Sequence, residues 1–231
     1  MKAAVALVAQ PEAKSKLLEG FLRSQLEEVL AAGKVRRFFA RQVVQHAGDP
    51  ASKLCLLQSG RAQYFTISDE GEKAILHWIT PGDCFGLAAV IPEPRAFLLG
   101  VEMVESGSAI VWDRDRFRSL AVRFPRLIDN ALSIVYDGFV RLLCIHMSLS
   151  SRSAAHRLRQ TVVDLAYGIG RPTSRGVEIE ITNEELASMA HVTMYTASRY
   201  LSEWQRRGAV EKKRGGILVR SPQRLLSFDV K

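Results

Sequence analysis

Basic and hydroxyl side chains gather near the C-terminus at spacings suited to holding a polyanion. Lys212, Lys213 and Arg214 precede Gly215-Gly216, inside the run VEKKRGGILV from Val210 to Val219. Gly-Gly supplies the positive φ angles of a tight turn, so the run reads as a basic β-hairpin, placed to meet phosphates. Upstream, Met194, Tyr195, Ser198 and Arg199 share one side of a helix, and Ala197, Tyr200, Leu201 and Trp204 share the other. Thr193 and Thr196 add hydroxyls at its start as candidate phosphate contacts. The chemistry these types and spacings suit is recognition of duplex DNA, with phosphates held by charge and base edges met from a helix.

The surrounding pattern positions those groups. Thr182 followed by Glu185 is a capping-box signal, and Leu186, Met189 and Ala190 lie on one face of the helix it opens. His191-Val192-Thr193 interrupts the pattern, and Thr193 caps the second helix, which stops at Gly208. Two short helices joined by a tight turn form a helix-turn-helix, and a basic hairpin directly after the second helix is a wing. His191 stands at a turn position often held by Gly, where His tolerates positive φ better than a β-branched residue does.

The other chemistry-bearing residues are scattered. Cys55, Cys84 and Cys144 are odd in number and lack metal-type spacing, which fits a reducing cytoplasm and no disulfide framework. No metal site, no Gly-rich phosphate loop in a strand–helix context and no nucleophile motif is read, so an enzyme is not expected. The chain has 231 residues, a net charge of +8 and a pI near 9.7, compatible with a nucleic-acid partner. Met1-Lys2 followed by AAVALVA has no convincing cleavage site and reads as a loose or helical N-terminus, and no run is long enough to cross a membrane.

In chain order, Lys16–Ala32 reads as a helix with Gly33 as its stop. From Val35 to Trp112 short apolar runs alternate with Gly-rich turns, the pattern of a sandwich or jelly roll. Asp113–Phe124 reads as a short helix. From Pro125 to about Ser150 the spacing predicts one long helix. Its Ile128, Leu132, Val135, Phe139, Leu142, His146 and Leu149 form a heptad seam, fit to pair with its copy in a dimer; packing against the β-domain within the chain is the alternative, and different faces can do both. Ser151-Arg152-Ser153 marks a hinge, with Ser153 as the cap of the next helix. RPTSRG then reads as a loop, Val177–Ile181 as a strand and Ser221-Pro222 as the opening of a last helix. The divisions are 1–124, 125–152 and 153–231.

This order, with LLQSGRAQYF, the hairpin from Asp69 to Leu76, the loop Pro81–Gly86, Arg157, and the segments Thr182–Ala187 and Thr196–Leu201, resembles the Crp/Fnr (cAMP-receptor/fumarate-nitrate-regulator) family of bacterial transcription factors. The resemblance implies an α+β fold: an N-terminal β jelly roll of the cyclic-nucleotide-binding kind, a long dimerisation helix and a C-terminal winged helix-turn-helix. It implies a homodimer on a palindromic operator that recruits or blocks RNA polymerase in the cytoplasm. Arg199 matches the family's guanine-reading Arg, and Ser198 a position that contacts thymine methyls in some members.

Departures from the family bear on the signal. Leu87 follows Gly86 where cAMP-binding members have a ribose-binding Glu, and Phe97 and Leu98 stand at the phosphate-binding Arg-Ser pair. Arg95 nearby is a candidate displaced phosphate ligand. Leu142 and Leu143 replace hydroxyls that meet the base. An anionic phosphate buried among Leu and Phe would be unpaired, so cAMP is not the expected effector. The absence of Cys before Cys55 argues against an iron–sulfur cluster. Haem held by some of His46, His77, His146, His156, Cys55, Cys84 and Cys144, an apolar ligand, control through Cys84 or Cys144, and no effector at all stay open. Met194 and Tyr195 replace the residues that read base edges in many members, which leaves as the alternative a small-molecule or haem/gas-sensing module that acts through a protein partner, its winged helix not reading DNA.

Overall fold

The computed structural model describes residues 15–68, 70, 71, 73–93, 95–151 and 153–226, with the backbone alone for 144–151 and 224. The N-terminal AAVALVA run, part of the Asp69–Leu76 hairpin, Arg152 of the hinge, and the side chains of Cys144, His146 and Leu149 lie outside the described residues. Between Arg141 and Leu142 the chain divides into two compact units.

The first unit opens with a 3-10 turn at Lys16–Leu18 and helix α1 at Arg23–Ala31. The single helix expected over Lys16–Ala32 is therefore broken. Gly20 sits at φ +76° in the left-handed region, and a Cβ there would meet the Arg126 guanidinium at 1.9 Å. Asn130 Nδ2 donates to the Leu17 and Glu19 carbonyls at 2.9 and 3.0 Å, and Arg126 Nη1 donates to Gly20 O at 3.0 Å. These tertiary bonds replace the helical ones the segment gives up.

Among the described residues six strands form one antiparallel sheet: β1 (Lys34–Phe38), β2 (Val43–Gln45), β3 (Lys53–Ile67), β4 (Lys73–Ile79), β5 (Cys84–Phe85) and β6 (Gly100–Asp113). Its order is β1-β6-β3-β4, with β2 on β6 and β5 on β3. β3 and β6 are long and bend together where the register shifts around Ser59 and Arg61. Gly60 at φ +79° faces Gly107 there, and a Cβ on Gly107 would lie 1.9 Å from Ser59 O. Strand parity then sorts the core. Leu54, Leu56, Ile110 and Trp112 join one cluster with the helices, while Cys55, Leu57, Ala109 and Val111 fill the inside of the roll. Both faces are buried, which is why LCLL is an unbroken apolar run.

Helix α2 (Arg114–Arg123) follows β6, then α3 (Arg126–Ser151). Leu127 and Ala131 of α3 are buried in the helix-side cluster with Trp112 and Phe117, and Trp112 Nε1 donates to Val29 O at 2.8 Å. On another face of α3, Ile128, Leu132, Val135 and Phe139 are exposed.

The second unit holds α4 (Ala154–Gly168), a sheet ordered β7-β8-β10-β9, and helices α5 (Asn183–Met189), α6 (Met194–Arg206) and α7 (Pro222–Leu226). Its strands are β7 (Arg171–Thr173), β8 (Gly176–Glu180), β9 (Val210–Lys213) and β10 (Gly216–Val219). The segment expected as a loop, RPTSRG, is in part a strand: Arg171 to Thr173 pair with Glu178 to Gly176. Ser153 caps α4 by accepting from the His156 N–H at 3.3 Å.

Candidate nucleic-acid interface

The helix-turn-helix is set by local chemistry. Thr182 Oγ1 accepts from the Glu185 N–H at 3.1 Å, and Glu185 Oε2 accepts from the Thr182 N–H at 2.7 Å, closing a capping box on α5. His191 takes φ +51°, as the turn requires. Arg157 of α4 fastens this turn from below: its Nε donates to Ala190 O at 3.3 Å and its Nη2 to His191 O at 2.9 Å. Burial, and then the Arg157 charge, hold the His191 imidazole below its usual pKa, so it favours the neutral form. Thr193 caps α6 by accepting from the Thr196 N–H at 3.2 Å, and its hydroxyl donates to Thr196 Oγ1 at 2.9 Å.

Ala197, Leu201 and Trp204 bury one side of α6, and Met194, Tyr195 and Arg199 stand exposed. The Arg199 guanidinium lies 4.8 Å from the Tyr200 ring centre, and Tyr200 stacks on Trp204 at 6.2 Å. Arg206 is exposed on the side of Tyr195 and Arg199, four and eleven residues beyond the first. The spacing of four and then seven residues from Tyr195 puts all three on one helix face.

The wing turns at Arg214-Gly215, with Lys213 paired to Gly216. Gly215 alone of the two glycines takes positive φ, at +76°; Gly216 is needed because a Cβ would meet Ile179 O at 2.4 Å. The three basic residues differ. Lys212 turns toward α6, where its Nζ donates to Ser202 Oγ at 2.7 Å and to Ser198 O at 3.3 Å. Lys213 lies on the other face and pairs with Glu178 at 2.6 Å, which also takes Arg171 at 2.9 Å. Those two cations lower the Glu178 carboxyl pKa. Arg214 is exposed at the tip. Side chains alternate along β9, so Val210 and Lys212 share the helix side. Ser198, expected to meet a thymine methyl, borders the wing, with its carbonyl held by Lys212.

A family model for the cyclic nucleotide-binding domain matches residues 35–124, and one for the Crp-like helix-turn-helix domain matches 156–228. The chain belongs to the Crp/Fnr family of transcription regulators. It is 24% identical over 169 residues to an anaerobic regulatory protein of Pasteurella multocida, a match that covers 72% of this chain and 61% of that protein. It is 22% identical over 181 residues to a CRP-like cAMP-activated global transcriptional regulator of Mycobacterium tuberculosis, covering 77% of this chain and 80% of that one. Its fold is similar to that of the c-di-GMP responsive global regulator CLP of Xanthomonas campestris, with TM-score 0.75, 18% identity, and 86% and 99% of the two chains covered.

In this Crp/Fnr protein the residues of the first unit expected at the effector pocket fall into different places. Gly86 takes φ +83° and is packed so that a Cβ would lie 2.5 Å from Lys53 O. Leu87 packs with the helix-side cluster, whereas Phe97 is buried with Ala51 and Ala89 in a separate one. Leu98 is 87% exposed, which removes it from any pocket of the unit. Leu142 and Leu143, in the second unit, are also exposed. Arg95 is exposed beside Glu93 at 3.3 Å. Burial pushes the Cys55 thiol up to about 12, and the Cys84 thiol is raised by burial as well. His77 lies against Arg141, whose Nη1 is 2.7 Å from Nδ1; burial and that charge lower its pKa to about 4. Among the described residues no cluster of three or more His, Cys, Asp or Glu could hold a metal ion, and no helix is long and apolar enough to cross a membrane.

Proposed function

We propose that the protein binds a two-fold symmetric operator as a homodimer and regulates transcription from it. The exposed seam of α3 carries this reading: Ile128, Leu132, Val135, Phe139 and Leu142 stand in solvent on the helix whose Leu127 and Ala131 are buried. A heptad stripe of that length in water fits a second copy of the same helix. His146 and Leu149 continue its spacing. Each protomer presents Arg199 to one guanine, with Met194 or Tyr195 against thymine methyls. Thr193, Thr196, Lys213 and Arg214 meet phosphates, and the cytoplasmic RNA polymerase is the machinery recruited or blocked.

The signal in this reading is not cAMP. Leu87 and the buried Phe97 offer no charge to a cyclic phosphate, and Arg95 is turned to solvent beside Glu93. Haem is disfavoured at Cys55 and Cys84, whose side chains are packed inside the two core clusters. The exposure of Arg199 and Tyr195 supports DNA reading over a winged helix that serves only a protein partner. The test is selection from random duplex DNA without added ligand, with sedimentation of the protein alone and of its complex. An enriched palindrome bound by two chains is expected. A non-palindromic motif bound by one chain would overturn the dimer, and salt-sensitive binding without enrichment would overturn ligand-independent reading.

A further inference from the structure

One helix face and one strand of the second unit meet through polar groups. Ser198, Ser202 and Gln205 are spaced four and three residues apart on α6, so they form a stripe along one side. Lys212 of β9 engages all three. Its N–H donates to Gln205 Oε1 at 3.1 Å, and its ammonium donates to Ser202 Oγ at 2.7 Å and Ser198 O at 3.3 Å. Ser202 Oγ also donates to Ser198 O at 2.8 Å. The ammonium is a three-donor cation, and here two donors are used on the helix that carries Arg199.

We propose that Lys212 is a positioning residue: it locks the wing to the recognition helix and so sets the angle at which Arg199 is presented, and it neutralises no DNA phosphate. The proposal rests on the reading of α6 as a DNA-contacting helix. A loose wing would let the tip and the helix move independently, and a base contact made from a mobile frame loses its discrimination. Lys213 and Arg214 lie on the outer face and at the tip, where phosphate contact remains open to them.

The test uses the full chain and two labelled duplexes of equal length, one with the motif recovered by selection and one of random sequence. Affinity is measured across a salt series for wild type, Lys212→Met, Lys212→Arg, Ser202→Ala, the Lys212→Met/Ser202→Ala double variant and Arg214→Ser. A lost phosphate contact lowers the log–log salt slope by about 0.9. Arg214→Ser is expected to show that drop. Lys212→Met is expected to keep the wild-type slope, weaken motif binding by about tenfold, the size of one charge-assisted hydrogen bond, and narrow the ratio between the two duplexes. Lys212→Arg restores part of the ratio. Ser202→Ala adds nothing further in the Lys212→Met background, because both remove the same link. A slope reduced by a full contact in Lys212→Met, or additive losses in the double variant, overturns the proposal. If wild type yields no motif, the DNA-reading assignment has failed instead; amide exchange at Lys212 and Ser202 then tests the lock alone, since faster exchange in Lys212→Met supports it and unchanged exchange overturns it.

Discussion

The β-roll and the winged helix treat their marked residues in opposite ways. In the roll, the LCLL run of β3 is buried on both faces, and between β5 and β6 Leu87 and Phe97 belong to separate packed clusters while Leu98 stands in solvent. In the winged helix one face of each element stays in water, so a polar or basic residue on that face is free to act. A side chain's role is read more safely where burial leaves one side open. Where both sides are filled, type and position in the chain do not say which neighbours a residue meets.

The largest effect that probes this contrast comes from the filled region. Trp112→Ala removes a fully buried ring that packs edge-on against Phe117 at 6.1 Å and bonds to Val29 O. It should destabilise the first unit by about 3–5 kcal/mol in urea denaturation. A loss under 1 kcal/mol would mean the helix-side cluster does not organise that unit. Next comes the exposed seam of α3. Leu132→Asp with Phe139→Asp should give monomers in sedimentation and weaken binding to a palindromic duplex by about 100-fold, since each protomer then binds one half-site without avidity. An unchanged dimer mass would place the protomer contact elsewhere.

Arg199→Ala tests the open region. It should relax preference for guanine at one position of each half-site by about 1–3 kcal/mol, read as a flattened position in the selected motif. An unchanged motif would remove Arg199 from base reading. The loss is expected to be smaller than that of Trp112 because the guanidinium already stands in water, and only the specific contact disappears.

Local rules made most of the second unit legible. The Thr182/Glu185 capping box, the Thr193 cap, positive φ at His191 and the Gly215 turn depend on residues three or four apart, and all are in place. What escaped needed longer-range knowledge. Lys212 has the same type as its basic neighbours in sequence, and its bonds to Ser198 and Ser202 appear only when β9 lies against α6. The break at Gly20, inside a helical pattern, depends on Arg126 and Asn130, which lie more than a hundred residues away. The division of the apolar run around Leu54–Leu57 between two clusters depends likewise on pairing with β6, which a single strand does not reveal.

The smallest effect concerns the one strongly shifted histidine of the roll. His77 has a folded pKa near 4, against an ordinary 6.5, because burial and the Arg141 guanidinium both oppose its charge. The groups that face it are Arg141 and, opposing the shift, Asp83. The unfolded chain therefore binds a proton that the folded chain refuses between pH 6.5 and 4. Stability from this site is fully present above pH 6.5 and falls as pH drops toward 4. His77 is only partly buried, so screening leaves about 1 kcal/mol of the effect. Urea denaturation of a Trp204→Phe background, in which Trp78 and Trp112 report the first unit, should show stability dropping by that amount from pH 7 to pH 4.5. His77→Gln should flatten this part of the profile, because glutamine has no proton to take up. An equal slope in both proteins would assign the acid sensitivity to other groups and leave the His77–Arg141 contact as packing alone.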